Sequence, residues 1–212
     1  MPFMNECVHY EWSPDTVSDD PPNFMLDIIQ FLSTIVAACT TPMTIDLSTM
    51  LYRSSIAYVC EVVIDVFSNN DMNFTNEGGE RMQVKRWNMF GMMMLDTGCR
   101  LLEEWYYNAI MSSPSNVGSS TMKVVLPTPL LSLRQIINFF LSKEHEAILE
   151  RIGEQHRDYN HIPTAKLCQM IDKYRDVSTM AIFQNYHGAK SFPKRRNLDQ
   201  IARKLKSMAV QQ

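Results

Sequence analysis

Hydrophobic residues recur along most of the chain at the three- and four-residue spacing of amphipathic helices. After Thr44, which can cap a helix, this spacing continues to about Phe67 through Leu47, Leu51, Tyr58, Val59, Val62, Val63 and Val66. Residues spaced in this way share one face of a helix. The same reasoning predicts further helices at about 24–40, 76–111, 130–141, 143–157, 164–185 and 197–210. The pattern therefore predicts an all-α fold, a single helical domain of about six to eight helices.

Polar and proline-rich stretches divide this helical pattern. Residues 1–23 contain Pro14, Pro21 and Pro22 among acidic side chains, which predicts an irregular arm. The segment 24–40 is almost wholly apolar and predicts a buried helix. The predicted organisation is an acidic arm (1–23), an N-terminal helical part (24–111), a loop or hinge (112–128) and a C-terminal helical part with a basic tail (129–212).

Length and composition narrow the class of protein. A chain of 212 residues suits one domain, and the low glycine count of 7 disfavours glycine-rich nucleotide loops. Five scattered cysteines without a C-x-x-C pair predict reduced thiols in an intracellular protein. A secretory signal and a membrane-spanning segment are not expected. The predicted location is cytoplasmic, with the nucleus left open.

Charge is distributed unevenly along the sequence. Residues 1–80 hold 12 acidic side chains and one basic side chain, Arg53, for a net charge of −11. Residues 81–212 hold 19 basic and 11 acidic side chains, for a net charge of +8, and the two parts sum to −3. Such polarity points to a polyanion, to a membrane surface or to head-to-tail self-association.

The basic excess is greatest near the C-terminus and suggests nucleic-acid binding. The predicted phosphate-binding residues are Lys190, Lys194, Arg195, Arg196, Arg203, Lys204 and Lys206, with Lys85 and Arg86 as a second cluster. Cations of this kind neutralise phosphates and release counterions, which favours RNA or DNA as a partner, RNA before DNA. Three other interpretations stay open: a solvated helix face, a membrane-surface helix, and a helix that docks in a partner groove.

Large aromatic residues are the candidates for protein contacts. Phe3, Tyr10 and Trp12 lie in the acidic arm, which is expected to dock on its own domain or on a neighbouring subunit. Trp105, Tyr106 and Tyr107 are consecutive and cannot share one helix face, so at least one must face solvent, a neighbouring element or a partner. The predicted partner-binding residues are Phe3, Tyr10, Trp12, Trp105 and Tyr106.

Two functional hypotheses follow from these features. The first is a non-enzymatic, self-associating helical protein that binds single-stranded RNA. In its broad features it resembles the helical nucleocapsid and coat proteins of RNA viruses, although no short motif supports that likeness. The alternative is a protein-interaction module, an adaptor or inhibitor of signalling, that accepts a partner helix in a groove lined by Met89, Met92, Met93 and Met94.

Motifs for catalysis or metal binding are weak. Residues Asn69 to Glu80 place oxygen donors at the spacing of an EF-hand loop, but the glycine needed at the sixth position is Phe74. A polar connector between helices is the favoured interpretation. His145, His156 and His161 lie 11 and 5 residues apart, which fits a solvated helix better than a metal site. No enzymatic activity, cofactor or metal is predicted.

Overall fold

The computed structural model of the protein describes residues 2–18, 20–40, 43–68, 83–111, 126–154, 156, 158–177 and 192–209. Within these residues it contains eight helices: α1 (Pro2–His9), α2 (Asn23–Thr40), α3 (Ile45–Phe67), α4 (Met89–Met111), α5 (Thr128–Leu141), α6 (His145–Gly153), α7 (Thr164–Lys173) and α8 (Arg195–Ala209). The prediction of an all-α domain of six to eight helices is confirmed. The predicted loops at 69–80 and 112–120 lie outside the described residues.

The centre of the molecule is a layer formed by α3, α4 and α5, which pack on one another. On one side α1 packs against α2, and α2 packs against α3 and α4. On the other side α7 packs against α3, while α8 packs on α6 and α7. Because α5 lies against both α3 and α4, the two predicted helical parts contribute to the same hydrophobic core.

The N-terminal arm is part of this core, and its first residues are not irregular as predicted but form α1. The Trp12 side chain is only 2 % exposed and packs edge-on against Phe24 and Phe67. Its indole Nε1–H donates a hydrogen bond of 2.7 Å to the carbonyl oxygen of Cys7, which is also buried. Burial of these side chains holds the arm on its own domain.

The predicted helix from about residue 76 is shorter than expected, because residues 83–88 are extended and α4 begins only at Met89. The Val84 N–H donates to the carbonyl oxygen of Val66, and Trp87 forms an isolated parallel bridge with Tyr174. The Trp87 indole Nε1–H also donates to the carbonyl oxygen of Met170 at 3.0 Å. These bonds with other elements replace the helical hydrogen bonds that the periodicity predicted.

Asn88 caps the start of α4 and joins it to the arm. Its Oδ1 accepts a hydrogen bond from the Gly91 N–H at 3.0 Å, the usual geometry of a helix N-cap. Its Nδ2 donates to the carbonyl oxygen of Pro14, and its main-chain N–H donates to that of Trp12. One side chain and its backbone therefore fix both the first turn of α4 and the path of residues 12–14.

Helix α3 has nearly the bounds that the sequence predicted. Helix α2, predicted to be a buried helix at 24–40, is buried on one side only. Phe24, Ile28 and Leu32 belong to the core of the protein. Phe31 and Ile35 are nearly half exposed. The apolar character of α2 thus exceeds what its contacts within the described residues require.

Helix α7 ends at Lys173, twelve residues before the end predicted from the sequence. Tyr174 leaves the helix to form the bridge with Trp87, and its hydroxyl donates to the carbonyl oxygen of Pro193 at 2.7 Å. Arg195 Nη1 donates in turn to the carbonyl oxygen of Tyr174 at 2.6 Å. Tyr174 therefore anchors the beginning of α8 to the rest of the fold.

Candidate protein-interaction surfaces

The outer side of α3 carries an apolar surface. Leu47, Met50 and Tyr58 are 54 %, 63 % and 41 % exposed, and their spacing places them on one face of the helix. The opposite face holds Ile56 and Cys60, which are completely buried. We call Leu47, Met50 and Tyr58 the apolar face of α3. Leu47 and Tyr58 belong to the periodic apolar positions that predicted this helix, and Met50 does not.

Helix α2 adds exposed apolar side chains beside α3. Residues 41–44 connect α2 directly to α3, and the two helices pack on each other. Phe31 and Ile35, in the second half of α2, are 45 % and 46 % exposed. Large apolar residues exposed together on neighbouring elements are typical of protein-interaction sites.

The exposed charges on these helices are mainly acidic. Asp27 on α2, Asp46 and Glu61 on α3, and Glu104 on α4 are exposed. The exposed cations on the same helices are Arg53 on α3 and Arg100 on α4, and Arg100 forms an ion pair of 2.8 Å with Asp96. These helices therefore carry exposed apolar side chains together with a net negative exposed charge.

The structure places the predicted partner-binding aromatics mostly inside the fold. Trp12 and Tyr106 are buried, and Tyr10 is half-buried against the rings of Trp12 and Phe24. Trp105 is half-buried too, and its Nε1–H donates to Ser33 Oγ on α2 at 2.8 Å. The Phe3 side chain lies outside the described residues.

Tyr107 is the aromatic residue of the 105–107 run that faces outward, with 51 % of its side chain exposed. The sequence required one of the three aromatics to face away from the core and could not say which one. The choice depends on the neighbours of α4, because Tyr106 points into the core and Trp105 packs on Tyr52 of α3. Only the packed structure distinguishes them.

Within the described residues the four methionines predicted to form a groove on α4 do not line an open groove, and Met93 is partly buried against the core. Met89 and Met92 are fully buried, and Met94 is nearly so. Met94 Sδ accepts a weak hydrogen bond from the Tyr10 hydroxyl at 3.8 Å. The arm covers this side of α4, so the methionines pack the core rather than receive a partner.

Helix α8 docks internally through its apolar side. Leu198 and Leu205 are fully buried, and Ile201 and Ala202 nearly so. Arg195 at its beginning is held by three groups: its side chain pairs with Asp199 at 2.9 Å and bonds the Tyr174 carbonyl, while its N–H donates to Asp176 Oδ1.

The predicted phosphate-binding residues near the C-terminus differ in the salt bridges that they form with the rest of the protein. Lys204 pairs with Glu146 of α6 at 3.4 Å in an exposed contact. Lys194, Arg196, Arg203 and Lys206 are exposed and form no salt bridge within the described residues. Within the described residues, no acidic side chain from the first third of the chain pairs with these four cations. The acids that pair with cations of α8 are Asp199 and Glu146. Lys190 lies outside the described residues.

The second basic cluster and the histidines do not assemble into a site. Lys85 and Arg86 are exposed on the extended segment before α4, far along the chain from α8. His145 packs on the ring of Phe139, and burial lowers its pKa. His156 lies beside Asp158, while the main-chain N–H of His161 donates to Gln135. In the part of the chain that the structure describes, no group of three or more potential metal ligands occurs.

None of the helices in the described ranges is both long and apolar enough to cross a bilayer. The exposed surface includes an apolar face on α3 and a cationic side on α8. The fold is an all-helical domain, and exposed apolar patches of this kind are typical of protein-interaction domains.

The family of the protein follows from comparison with known proteins. The family model for the exocyst complex subunit Sec15 C-terminal domain matches residues 3–173, which is 171 of the 212 residues. The chain belongs to this family. Neither the curated proteins nor the solved structures contain a significant match.

Membership of this family corrects the first functional hypothesis. An exocyst subunit works through protein partners in a vesicle-tethering complex, so the prediction of a viral nucleocapsid-like RNA-binding protein is wrong. The alternative, a helical protein-interaction module, agrees better with the family, although not through the methionine groove. The family is a non-catalytic tethering family and works inside the cell, in agreement with the coarse predictions of activity and location.

The charge pattern misled the prediction for an identifiable reason. Most of the residues assigned to nucleic acid lie after residue 173, beyond the part of the chain that matches the family. Phosphates and other acidic surfaces attract lysine and arginine through the same Coulomb interaction, and sequence alone does not separate them.

Proposed function

We propose that this chain is a protein-interaction module of an exocyst-type vesicle-tethering complex, acting in the cytoplasm at vesicles or at the plasma membrane. Family membership supports the assignment of the chain to a subunit of such a complex. The exposed apolar face of α3 is the reason for choosing α3 as the partner-binding surface. Leu47, Met50 and Tyr58 project away from the core, so a partner reaches them without unfolding the domain.

The partner that fits this face is an amphipathic helix of another subunit, with lysine or arginine beside its apolar stripe. The three apolar residues lie along α3 in a row suited to helix–helix packing. The exposed acids on α2, α3 and α4 (Asp27, Asp46, Glu61 and Glu104) outnumber the exposed cation Arg53, which is unpaired within the described residues, so basic residues on the partner complement the charge of these helices.

Covering the apolar face of α3 contributes part of the free energy of binding. Complete burial of a leucine or methionine side chain contributes about 1.5–3 kcal/mol, and these side chains are already about half-buried. Covering the remainder therefore contributes roughly half that amount for each residue. Phe31 and Ile35 on α2 offer further area to a partner that extends beyond α3.

Reconstitution with the other subunits of an exocyst complex tests the proposal. The double variant Leu47→Asp with Met50→Asp places two charges where apolar contacts are needed. We expect its affinity for the remaining subunits to fall by more than about tenfold, the effect of roughly 1.4 kcal/mol. Size-exclusion chromatography and titration calorimetry measure the loss.

The matched control is Asn160→Asp with Ala165→Asp, which adds the same charge at exposed positions before and within α7. This control should bind normally, and circular dichroism should show that both double variants are folded. Equal binding by the wild-type chain and the α3 variant would contradict the choice of this face. Failure of the wild-type chain to bind any subunit would contradict the proposed function itself.

A further inference from the structure

The outward side of α8 is polar, and its cations outnumber its one acidic residue, Asp199, which pairs with Arg195. Seven residues separate Arg196 from Arg203, which places both on the side of the helix opposite the buried Leu198 and Leu205. The exposed Lys194 precedes the helix, and the exposed Lys206 lies beside this row. We define these four cations as the cationic face of α8: Lys194, Arg196, Arg203 and Lys206.

The charge of this face is available for a partner. Within the described residues, its four cations form no salt bridge, whereas Arg195 and Lys204 are paired with Asp199 and Glu146. Two more carboxylates lie close by. Asp176 accepts a hydrogen bond from the Arg195 N–H, and Asp172 lies near Cys168, whose thiol pKa is affected by both Asp172 and Lys206. The cations outnumber these acids on the outward side of the helix, where Arg196 and Arg203 lie.

The kind of partner follows from what this face lacks. Stable protein interfaces usually have a desolvated centre of aromatic and apolar side chains in which lysine is depleted. The apolar residues of α8 already lie in the core, and the nearby Phe192 ring packs edge-on against Phe90 at 5.7 Å. The exposed positions of α8 therefore offer charge without an apolar anchor.

We propose that the cationic face of α8 binds the anionic headgroup surface of a phospholipid membrane. Each lysine or arginine near a negative lipid surface increases the affinity roughly fivefold, and this attraction requires no shaped pocket on the protein. Because Leu198 and Leu205 remain in the core, the helix lies on the headgroups through its charge and does not insert an apolar side. The inference goes beyond the proposed function and uses a helix other than α3.

Vesicle co-sedimentation of the full 212-residue chain tests this inference. Phosphatidylcholine vesicles with phosphatidylserine should bind the protein, and vesicles of phosphatidylcholine alone should not. Raising the salt from about 0.1 M to about 1 M shortens the Debye length from about 10 Å to about 3 Å and should abolish the binding. The double variant Arg196→Gln with Arg203→Gln should bind roughly thirtyfold more weakly, through the loss of two fivefold contributions.

The matched control is Arg53→Gln with Arg100→Gln, which removes the same charge at exposed positions on α3 and α4. It should change vesicle affinity by less than about twofold, since α8 packs on α6 and α7 and not on these two helices. Equal losses in the two double variants would overturn the inference, because net charge and not the α8 face would then govern binding.

Two further outcomes would also overturn it. One is the absence of binding to phosphatidylserine vesicles at low salt. The other is binding of poly-glutamate without binding of vesicles, which would assign the face to an acidic protein partner. The variant Leu47→Asp with Met50→Asp should bind vesicles normally, so a failure of the α3 proposal and a failure of this one are distinguishable.

Discussion

The carbonyl oxygen of Trp12 lies directly over Gly91, in the space that a Cβ atom at that position would occupy. The arm crosses the first turn of α4 here, and the Asn88 N–H donates to the same Trp12 oxygen at 2.9 Å. We expect Gly91→Ala to destabilise the protein by about 1–3 kcal/mol, because backbone and not a flexible side chain must move. Urea unfolding followed by circular dichroism measures the change.

Gly98, two turns further along α4, is the matched control. A Cβ there would approach the flexible side chain of Met25 at 3.0 Å, and no main-chain atom is as close. Alanine also favours helix by about 1 kcal/mol over glycine, so Gly98→Ala should be close to neutral. A loss for Gly98→Ala as large as that for Gly91→Ala would contradict the role given to the Trp12 carbonyl.

Arg134 of α5 joins two carboxylates of α4. Its guanidinium lies 2.5 Å from Asp96 and 2.9 Å from Glu103, and all three side chains are largely buried. Burial raises the pKa of Glu103, while the neighbouring Arg134 lowers it. We expect Arg134→Met to cost about 3 kcal/mol, because it leaves Glu103 without its paired cation and leaves Asp96 with only the exposed Arg100. Denaturant unfolding at neutral pH measures the loss.

Arg100 gives the comparison for this prediction because it pairs with the same Asp96, but from an exposed position. Removal of a surface ion pair costs about 0–1 kcal/mol, so Arg100→Ala should have a small effect. Similar losses from Arg134→Met and Arg100→Ala would show that burial does not increase the contribution of the Arg134 ion pairs to the free energy of unfolding.

Tyr174 connects the family-matched region to α8 through its hydroxyl bond with Pro193. Tyr174→Phe removes the donor and leaves the buried Pro193 carbonyl unpaired, at a cost of about 1–3 kcal/mol. We expect faster amide hydrogen exchange in α8, while exchange in α5 stays unchanged. Uniform acceleration through the whole molecule would instead indicate global destabilisation.

Lys173 makes stability depend on pH in the alkaline range. Its ammonium group is buried and donates to the Ser68 carbonyl at 2.9 Å, and burial lowers its pKa from 10.5 to about 8. Between these values the unfolded chain holds a proton that the folded protein has released. The contribution of Lys173 to the free energy of unfolding should therefore rise with pH above 8, by roughly 1 kcal/mol up to pH 9.

The comparison with Lys173→Met isolates this contribution. Burial raises the pKa of Cys7 and Cys99 to about 12, so ionisation of these thiols in the unfolded chain opposes folding above pH 9 in both proteins. The stability of the wild type relative to the variant should increase from pH 8 to pH 9. A constant difference would show that Lys173 does not change its protonation in this range.

Exposed positions on α3 should tolerate polar substitution. Met50→Asp should change the free energy of unfolding by less than about 0.5 kcal/mol, because this side chain is mostly in solvent. Ile56→Asp on the buried side of the same helix should unfold the protein, since it buries a charge without a partner. Thermal unfolding of both variants tests whether the apolar face of α3 is free of the core.

Local sequence determined the helical class and several helix bounds. The predicted helix from Thr44 to Phe67 corresponds to α3, and the predicted start at 164 is the first residue of α7. Periodicity reports such elements because apolar positions three and four residues apart share one side of a helix whatever the neighbours are. The same periodicity also identifies the apolar side of α8, which contains Leu198 and Leu205 and packs into the protein.

Only the tertiary structure decided which apolar residues are covered and where helices end. Trp12, in the arm predicted to be irregular, lies in the core, whereas Leu47, one of the periodic apolar positions of α3, is exposed. Helix α4 begins at Met89 because Trp87 bonds with residues more than eighty positions away. These outcomes depend on long-range partners, and a local pattern carries no information on which element packs against it. The partner class was undecided for the same reason: lysine and arginine attract any anionic surface, and the number of residues in a cluster does not reveal which one.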